Sequence, residues 1–244
     1  MRTHRILVVA CLAGLGAAAA AHAQNFNIDM SDTASPEAPA PGIAYGAAAG
    51  QAGFWNNRQT PLGTTPLNDL NNLPTGVTLN LDGGGMGSFN GPNSAATAAG
   101  TNGERLLDDG WDPGTVADVN GNVGVITIAG LAPGDYTIYL YGIAPDSIAF
   151  RTGFTVVGGA PGGPVDVGGA LGAANSFADT YSVPVTHAVF TKTIGLGENL
   201  IVNVTLPNIG GTNFATVNGI QITPEPASLG LLAMGALALI KRRR

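Results

Sequence analysis

The sequence predicts an all-β fold, a sandwich with long glycine-rich loops, flanked by an N-terminal signal helix and a short C-terminal hydrophobic helix. Three observations point that way. Apolar and polar residues alternate in short runs, as in Val77, Leu79 and Leu81 against Thr78 and Asn80, or Leu200, Val202 and Val204 against Asn203 and Thr205. A period of two is the mark of a strand with one dry face. The runs are punctuated by Gly, Pro, Asn and Asp, the residues of turns. Between the two ends no segment keeps a helical period beyond a turn or two, and eight to ten strands of four to seven residues is a sandwich pattern.

Taken in order, Phe26 to Met30 alternates as a first strand, and the proline-rich stretch Ser35 to Pro41 follows as a linker. Ala47 to Gly50 is too short for a helix. Gly53-Phe54-Trp55-Asn56-Asn57 forms an aromatic cluster expected at the mouth of a long loop, and Leu67 to Leu73 a single helical turn. Val77 to Leu81 is a strand ending at Asp82, and residues 83–103 read as a wandering loop. Leu106 to Pro113 holds the second tryptophan, Trp111, on an acidic, glycine-flanked loop. Asn120-Gly121 signals a type I′ hairpin before the strand Val123 to Ile128. Pro133-Gly134 sets a tight turn into the next strand, with Tyr136, Ile138 and Leu140 on one face and Thr137, Tyr139 and Tyr141 on the other. Phe154 to Val157 is a strand, and Gly158 to Ala174 a mobile connection. Strands at Val183 to Ile194, Leu200 to Leu206 and Phe214 to Ile222 close the body.

Both ends read as addresses. Residues 1–23 carry Arg2 and Arg5, an apolar run from Ile6 to Ala21, and the small-x-small site Ala21-His22-Ala23, the layout of a secretory signal peptide. Such a leader implies passage through the Sec translocon and cutting by signal peptidase. At the other end stand Pro224-Glu225-Pro226, an uncharged run at 227–240 and the basic terminus Lys241, Arg242, Arg243 and Arg244. A P-x-P pair holds the chain extended and accessible. Fourteen uncharged residues are short against the ~20 of a full span, though a span starting at Pro226 would suit a thin membrane, and the basic end marks a cytoplasmic stop. The domains expected are therefore a signal peptide at 1–23, a body at 24–223 and a terminal segment at 224–244.

This order of Pro-Glu-Pro, apolar run and basic end resembles the PEP-CTERM sorting signal of bacterial surface proteins. The resemblance implies an exosortase as partner, which recognises the Pro-Glu-Pro and removes the tail. It also implies a transient stay in the inner membrane, then delivery to the cell surface or extracellular matrix. The Leu131-x-Pro133-Gly134-x-Tyr136 turn, the Tyr-rich strand after it and the Val217-Asn218-Gly219-Ile220-Gln221-Ile222 close resemble galactose-binding-like jelly rolls. That likeness implies a jelly roll whose first and last strands lie near each other, and it admits a structural calcium.

Charge and chemistry narrow the function. The body keeps four basic residues, Arg58, Arg105, Arg151 and Lys192, against fifteen acidic ones, a balance of −11. Such a surface repels phosphate backbones, so no nucleic-acid partner is expected. Cys11 leaves with the signal peptide, and His187 is the one histidine of the body, so neither thiol chemistry nor a His zinc cluster is expected. His187 lies in a strand with no G-x-S-x-G serine elsewhere, and reads as a surface or sheet-edge residue. Asp108, Asp109 and Asp112 are calcium candidates, since calcium takes oxygens from acidic loops. As glycosidase acids they stand on one loop rather than on opposite sides of a bond. Trp55 with Asn57 and Arg58, and Trp111 with its acidic neighbours, are the candidate glycan platforms, for exopolysaccharide above all. The expectation is a non-catalytic, exported surface module without a cofactor of its own; the alternative is a carbohydrate-active enzyme using the acidic loop.

Overall fold

A computed structural model describes residues 24–31, 39–61, 63–88, 101–107, 109–144, 150–168, 185–207 and 214–225. The signal peptide with Ala21 and Ala23, Asp108, Pro226, the run 227–240 and Lys241, Arg242, Arg243 and Arg244 lie outside the described residues.

The body is a sandwich of two sheets. The strands are β1 (Phe26–Met30), β2 (Trp55–Arg58), β3 (Gly63–Asn68), β4 (Pro74–Asp82), β5 (Gly85–Ser88), β6 (Asp109–Asp112), β7 (Asn122–Ala129), β8 (Gly134–Tyr141), β9 (Arg151–Val156), β10 (Val165–Gly168), β11 (His187–Ile194), β12 (Leu200–Thr205) and β13 (Gly219–Pro224). A helix, α1 (Asn102–Leu107), precedes β6. The first sheet runs β11-β8-β13-β1-β2 and the second β10-β9-β12-β7-β4-β3. From β7 onward the chain crosses between the sheets at almost every step, the habit of a jelly roll. The short pair β5-β6 stands apart, tied to the chain before β13 by a bridge between Trp111 and Val217.

First and last strands do meet. β1 pairs antiparallel with β13, Phe26 opposite Ile222 and Ile28 opposite Ile220. Inward residues of both sheets form one core: Phe26, Ile28, Ile138, Leu140, Phe190 and Ile220 from the first, Leu79, Ile126, Ile128, Phe154, Val202 and Val204 from the second. Each large side chain so buried contributes roughly 1.5–3 kcal/mol.

Several local expectations are corrected. Trp55 to Arg58 is not a loop mouth but strand β2, parallel to β1. Leu67 and Asn68 end β3, and the turn after them is set by Asp69, whose carboxylate accepts from the amides of Asn71 and Leu73. Within 83–103, β5 and the start of α1 replace a continuous loop. Asp109 to Asp112 is a strand. Val165 to Gly168 pairs with β9, so the connection after Gly158 is not wholly irregular. Asn120-Gly121 is not a type I′ turn, which needs positive φ at both residues; only Gly121 has it, at 83°. The Asp118 carboxylate shapes that turn by accepting from the amides of Asn120 and Asn122.

Candidate functional site

The two sheets treat their outer faces differently. β12 alternates buried and half-buried along its length, as expected of a strand with one wet face. β1 is buried at all five positions. The outer face of the first sheet is covered by residues 42–53 and by α1, which bring Tyr45, Trp55, Leu106, Leu107, Tyr141 and Ile143 into a second apolar cluster. Gly219 of β13 makes room for it, since a Cβ there would stand 2.7 Å from Leu106 Cδ1.

Beneath that cover the amide side chains of the sheet bond to one another and to the backbone of the covering segment. Gln221 Nε2 donates to Asn27 Oδ1 at 2.8 Å and to the Gly46 carbonyl at 3.0 Å. Its Oε1 accepts from the Tyr141 hydroxyl at 2.5 Å and the Ala49 amide at 3.1 Å. Asn27 Nδ2 donates to the Gln51 carbonyl, and Gln51 Nε2 donates back to Asn27 Oδ1. An amide-rich layer therefore fixes the 42–53 segment to the sheet, and burial in it drives the Tyr141 phenol far above its ordinary pKa.

Neither tryptophan offers a face to solvent as the glycan reading requires. Trp55 is buried under Tyr45, with ring centroids 6.2 Å apart, and its Nε1 donates to the Tyr45 carbonyl. Trp111 is wholly inside, its Nε1 donating to the Gly83 carbonyl; Gly124 gives way to the ring, because a Cβ there would lie 2.7 Å from Cη2. Asn57 and Arg58 line a cavity of about 290 Å³ at the open edge between β2 and β3. The Arg58 guanidinium is turned to the Gly63 carbonyl, 2.7 Å away, and burial lowers its pKa. Chain order alone suggested a tryptophan-centred site; the fold splits it up.

The acidic candidates separate too. Asp109 is buried, while Asp112 is half-buried and accepts from the Gly114 amide at 2.8 Å. Their strand positions are of opposite parity, so they face different ways. The structure instead brings Asp109 toward Asp29 of β1, a residue that alternation alone would place on a wet face. Burial, then the charge of Asp109, raise the Asp29 pKa well above the carboxylate range; a hydrogen bond from Ser31 Oγ at 2.9 Å pulls the other way. Asp29 Oδ1 has no hydrogen-bond partner. Among the described residues no group of three or more His, Cys, Asp or Glu could hold a metal ion.

His187 does lie on an edge strand, but it is buried rather than on the surface. It packs between Tyr139 and Tyr141, with ring centroids at 6.0 and 5.6 Å. Thr186 Oγ1 lies 3.0 Å from its Nδ1, and burial pushes its pKa down to about 4. Such a residue is neutral at pH 7 and enclosed.

At the opposite end of the same sheet, β13 does not stop at the expected boundary of the body. Thr223 stands opposite Thr137, Pro224 opposite Tyr136, and the Glu225 amide donates to the Asp135 carbonyl at 2.8 Å. Alternation turns the Pro224 nitrogen toward the β1 side, where pairing ends at Ile222, so its missing N–H costs the sheet nothing. The Glu225 carboxylate accepts from Thr137 Oγ1 at 3.3 Å. Glu225 also borders a cavity of about 340 Å³ lined by Asp135, Tyr136, Gly158–Ala160 and Thr191–Thr193. Among the described residues no helix is long and apolar enough to cross a membrane.

No curated protein matches the chain. Among solved structures it is similar to the isomalto-dextranase of Arthrobacter globiformis T6, complexed with panose, at 16% identity and a TM-score of 0.30. The match covers 61% of this chain and 21% of that one, an overlap too loose to equate the two folds. The family model that matches is the PEP-CTERM protein-sorting motif, over residues 223–244. The carboxyl end of this chain, beginning in the last rung of its sandwich, thus carries the PEP-CTERM sorting motif, which implies an exported protein anchored in the membrane until it is cut.

Proposed function

We propose that this is an exported protein which an exosortase cuts at Pro224-Glu225-Pro226 and delivers to the cell surface or extracellular matrix, where its sandwich body serves as a non-catalytic structural module. The observation that carries the reading is the PEP-CTERM match at 223–244, entered without a spacer from β13. The body supports a passive role in two ways. The acids that an enzyme reading would use, Asp109 and Asp112, are not a facing pair, since Asp109 is buried and Asp112 is held in a turn. Its single histidine is enclosed between tyrosines. Both tryptophan platforms of the glycan reading are inside the fold, so attachment to the matrix rests on sorting rather than on an aromatic binding face. In an exosortase-bearing host, mass spectrometry of surface or secreted material should find the chain ending near Pro224. Glu225→Ala should leave the tail uncut and the protein in the membrane. An intact terminus through Arg244 in the delivered wild type defeats the proposal. Retention of residues 24–223 on a polysaccharide column would add a glycan-binding role to it.

A further inference from the structure

The first residues of the sorting motif lie in a paired strand. Register across the first sheet sets out two rows on its outer face where that face is open. Thr191 of β11, Thr137 of β8 and Thr223 of β13 are successive partners, and one step further Thr193, Asp135 and Glu225 follow. Parity puts the six side chains on one side of the sheet. Thr193 Oγ1 donates to Asp135 Oδ1 at 2.5 Å within the second row, and Thr137 Oγ1 donates to Glu225 Oε1 at 3.3 Å from one row to the other. Thr191, Thr193, Asp135 and Glu225 are exposed.

Distance makes the consequence unavoidable. A strand rises ~3.3 Å per residue, so a catalytic cleft closing on Pro224 to Pro226 lies within roughly 10 Å of the Thr223 backbone. No enzyme can engage the motif in place without meeting the adjoining strands. We infer that the patch made by Thr191, Thr193, Thr137 and Asp135 is a docking surface for the processing enzyme, read together with Glu225 as one epitope. The partner it fits carries a basic group, because Asp135 and Glu225 set two carboxylates side by side on an otherwise hydroxyl-bearing face. Glu225 is thus displayed at a fixed angle by the sheet, and recognition covers the folded body as well as the tripeptide.

The inference rests on the sorting reading, and the test separates the two. Full-length chain is co-expressed with its exosortase, and tail removal is followed by pulse–chase. Asp135→Lys and, independently, Thr191→Trp alter exposed positions off the motif, with thermal melting as the folding control. Each should slow cleavage by about fivefold or more without lowering Tm, since rim charge and shape govern encounter. A flexible Gly/Ser insert of about six residues between Thr223 and Pro224 carries the motif clear of the patch, and should slow the otherwise wild-type chain to the rate of the variants and erase the difference between them. Wild type that is never cut overturns the sorting reading itself. Wild type that is cut, with both variants cut equally fast, overturns the docking surface alone. An inserted chain cut as fast as the wild type without the insert also overturns it, because recognition then does not need the patch beside the motif.

Discussion

The outer faces of the two sheets are built from similar residues and meet opposite fates. On β12, Asn203 and Thr205 point outward and stay half-exposed, with Val202 and Val204 holding the strand to the core. On β1 and β13, Asn27, Asp29 and Gln221 occupy the equivalent outward positions and are buried. The difference is the 42–53 segment and α1, which cover one face and leave the other to water. Polar side chains on a wet face need no protein partners, whereas under a cover each must find one or remain as a penalty. Asparagine and glutamine found theirs. Asp29, with one oxygen unmatched and Asp109 nearby, did not fully.

The contrast is broken most sharply at Gln221. Gln221→Ala should cost about 3–5 kcal/mol, because it removes four hydrogen bonds and takes the acceptor from the Tyr141 hydroxyl and the Ala49 amide, while Asn203→Ala on β12 should stay within about 0.5 kcal/mol. Urea melts of the body decide it, and equal losses would mean that the cover does not exclude water. Asp29→Asn works in the other direction. A carboxyl whose folded pKa is raised loses stability as pH climbs above its unfolded value, since the fold then holds the proton more tightly than the open chain. The variant should therefore be more stable by about 2 kcal/mol at pH 7, and the gain should fade toward pH 4. The same melts with added calcium test the cation role that the acidic residues first suggested. A Tm rise lost in Asp29→Asn but kept in Asp112→Asn would place the ion beside β1.

His187 gives the smallest effect. Its folded pKa of about 4 lies below the unfolded value near 6.5, so its contribution is complete above pH 6.5 and drains away as pH falls toward 4. The loss should be on the order of 1 kcal/mol, allowing for partial solvent access, and His187→Phe should flatten it. A Tm that holds level between pH 6.5 and 4.5 would show the ring to be open to water.

Much of this architecture is legible in the sequence. β4, β7, β8 and β12 alternate cleanly because one side is dry and the other wet, and β1 was found to the residue. β2, β3, β5, β6 and β10 were not. Asn56, Asn57 and Arg58, or the Gly85-Met86-Gly87-Ser88 run, carry no period of two, and they become strands through backbone pairing with neighbours remote in the chain. Trp55 and Trp111 looked like platforms because composition cannot tell a ring beside solvent from one beneath Tyr45 or against Gly124. Asp29 gave no signal, since its environment comes from Asp109, eighty residues on in the same sequence.

By itself the sequence determined the all-β class and the address, because local alternation, turn residues and the order of a short linear motif need no partner to be read. Tertiary structure alone decided which outward residues are wet, which acids face one another, and that the sorting glutamate sits in a row with Asp135 and Thr193. Those are properties of register between strands far apart in the chain, and register is set by how the whole sandwich closes.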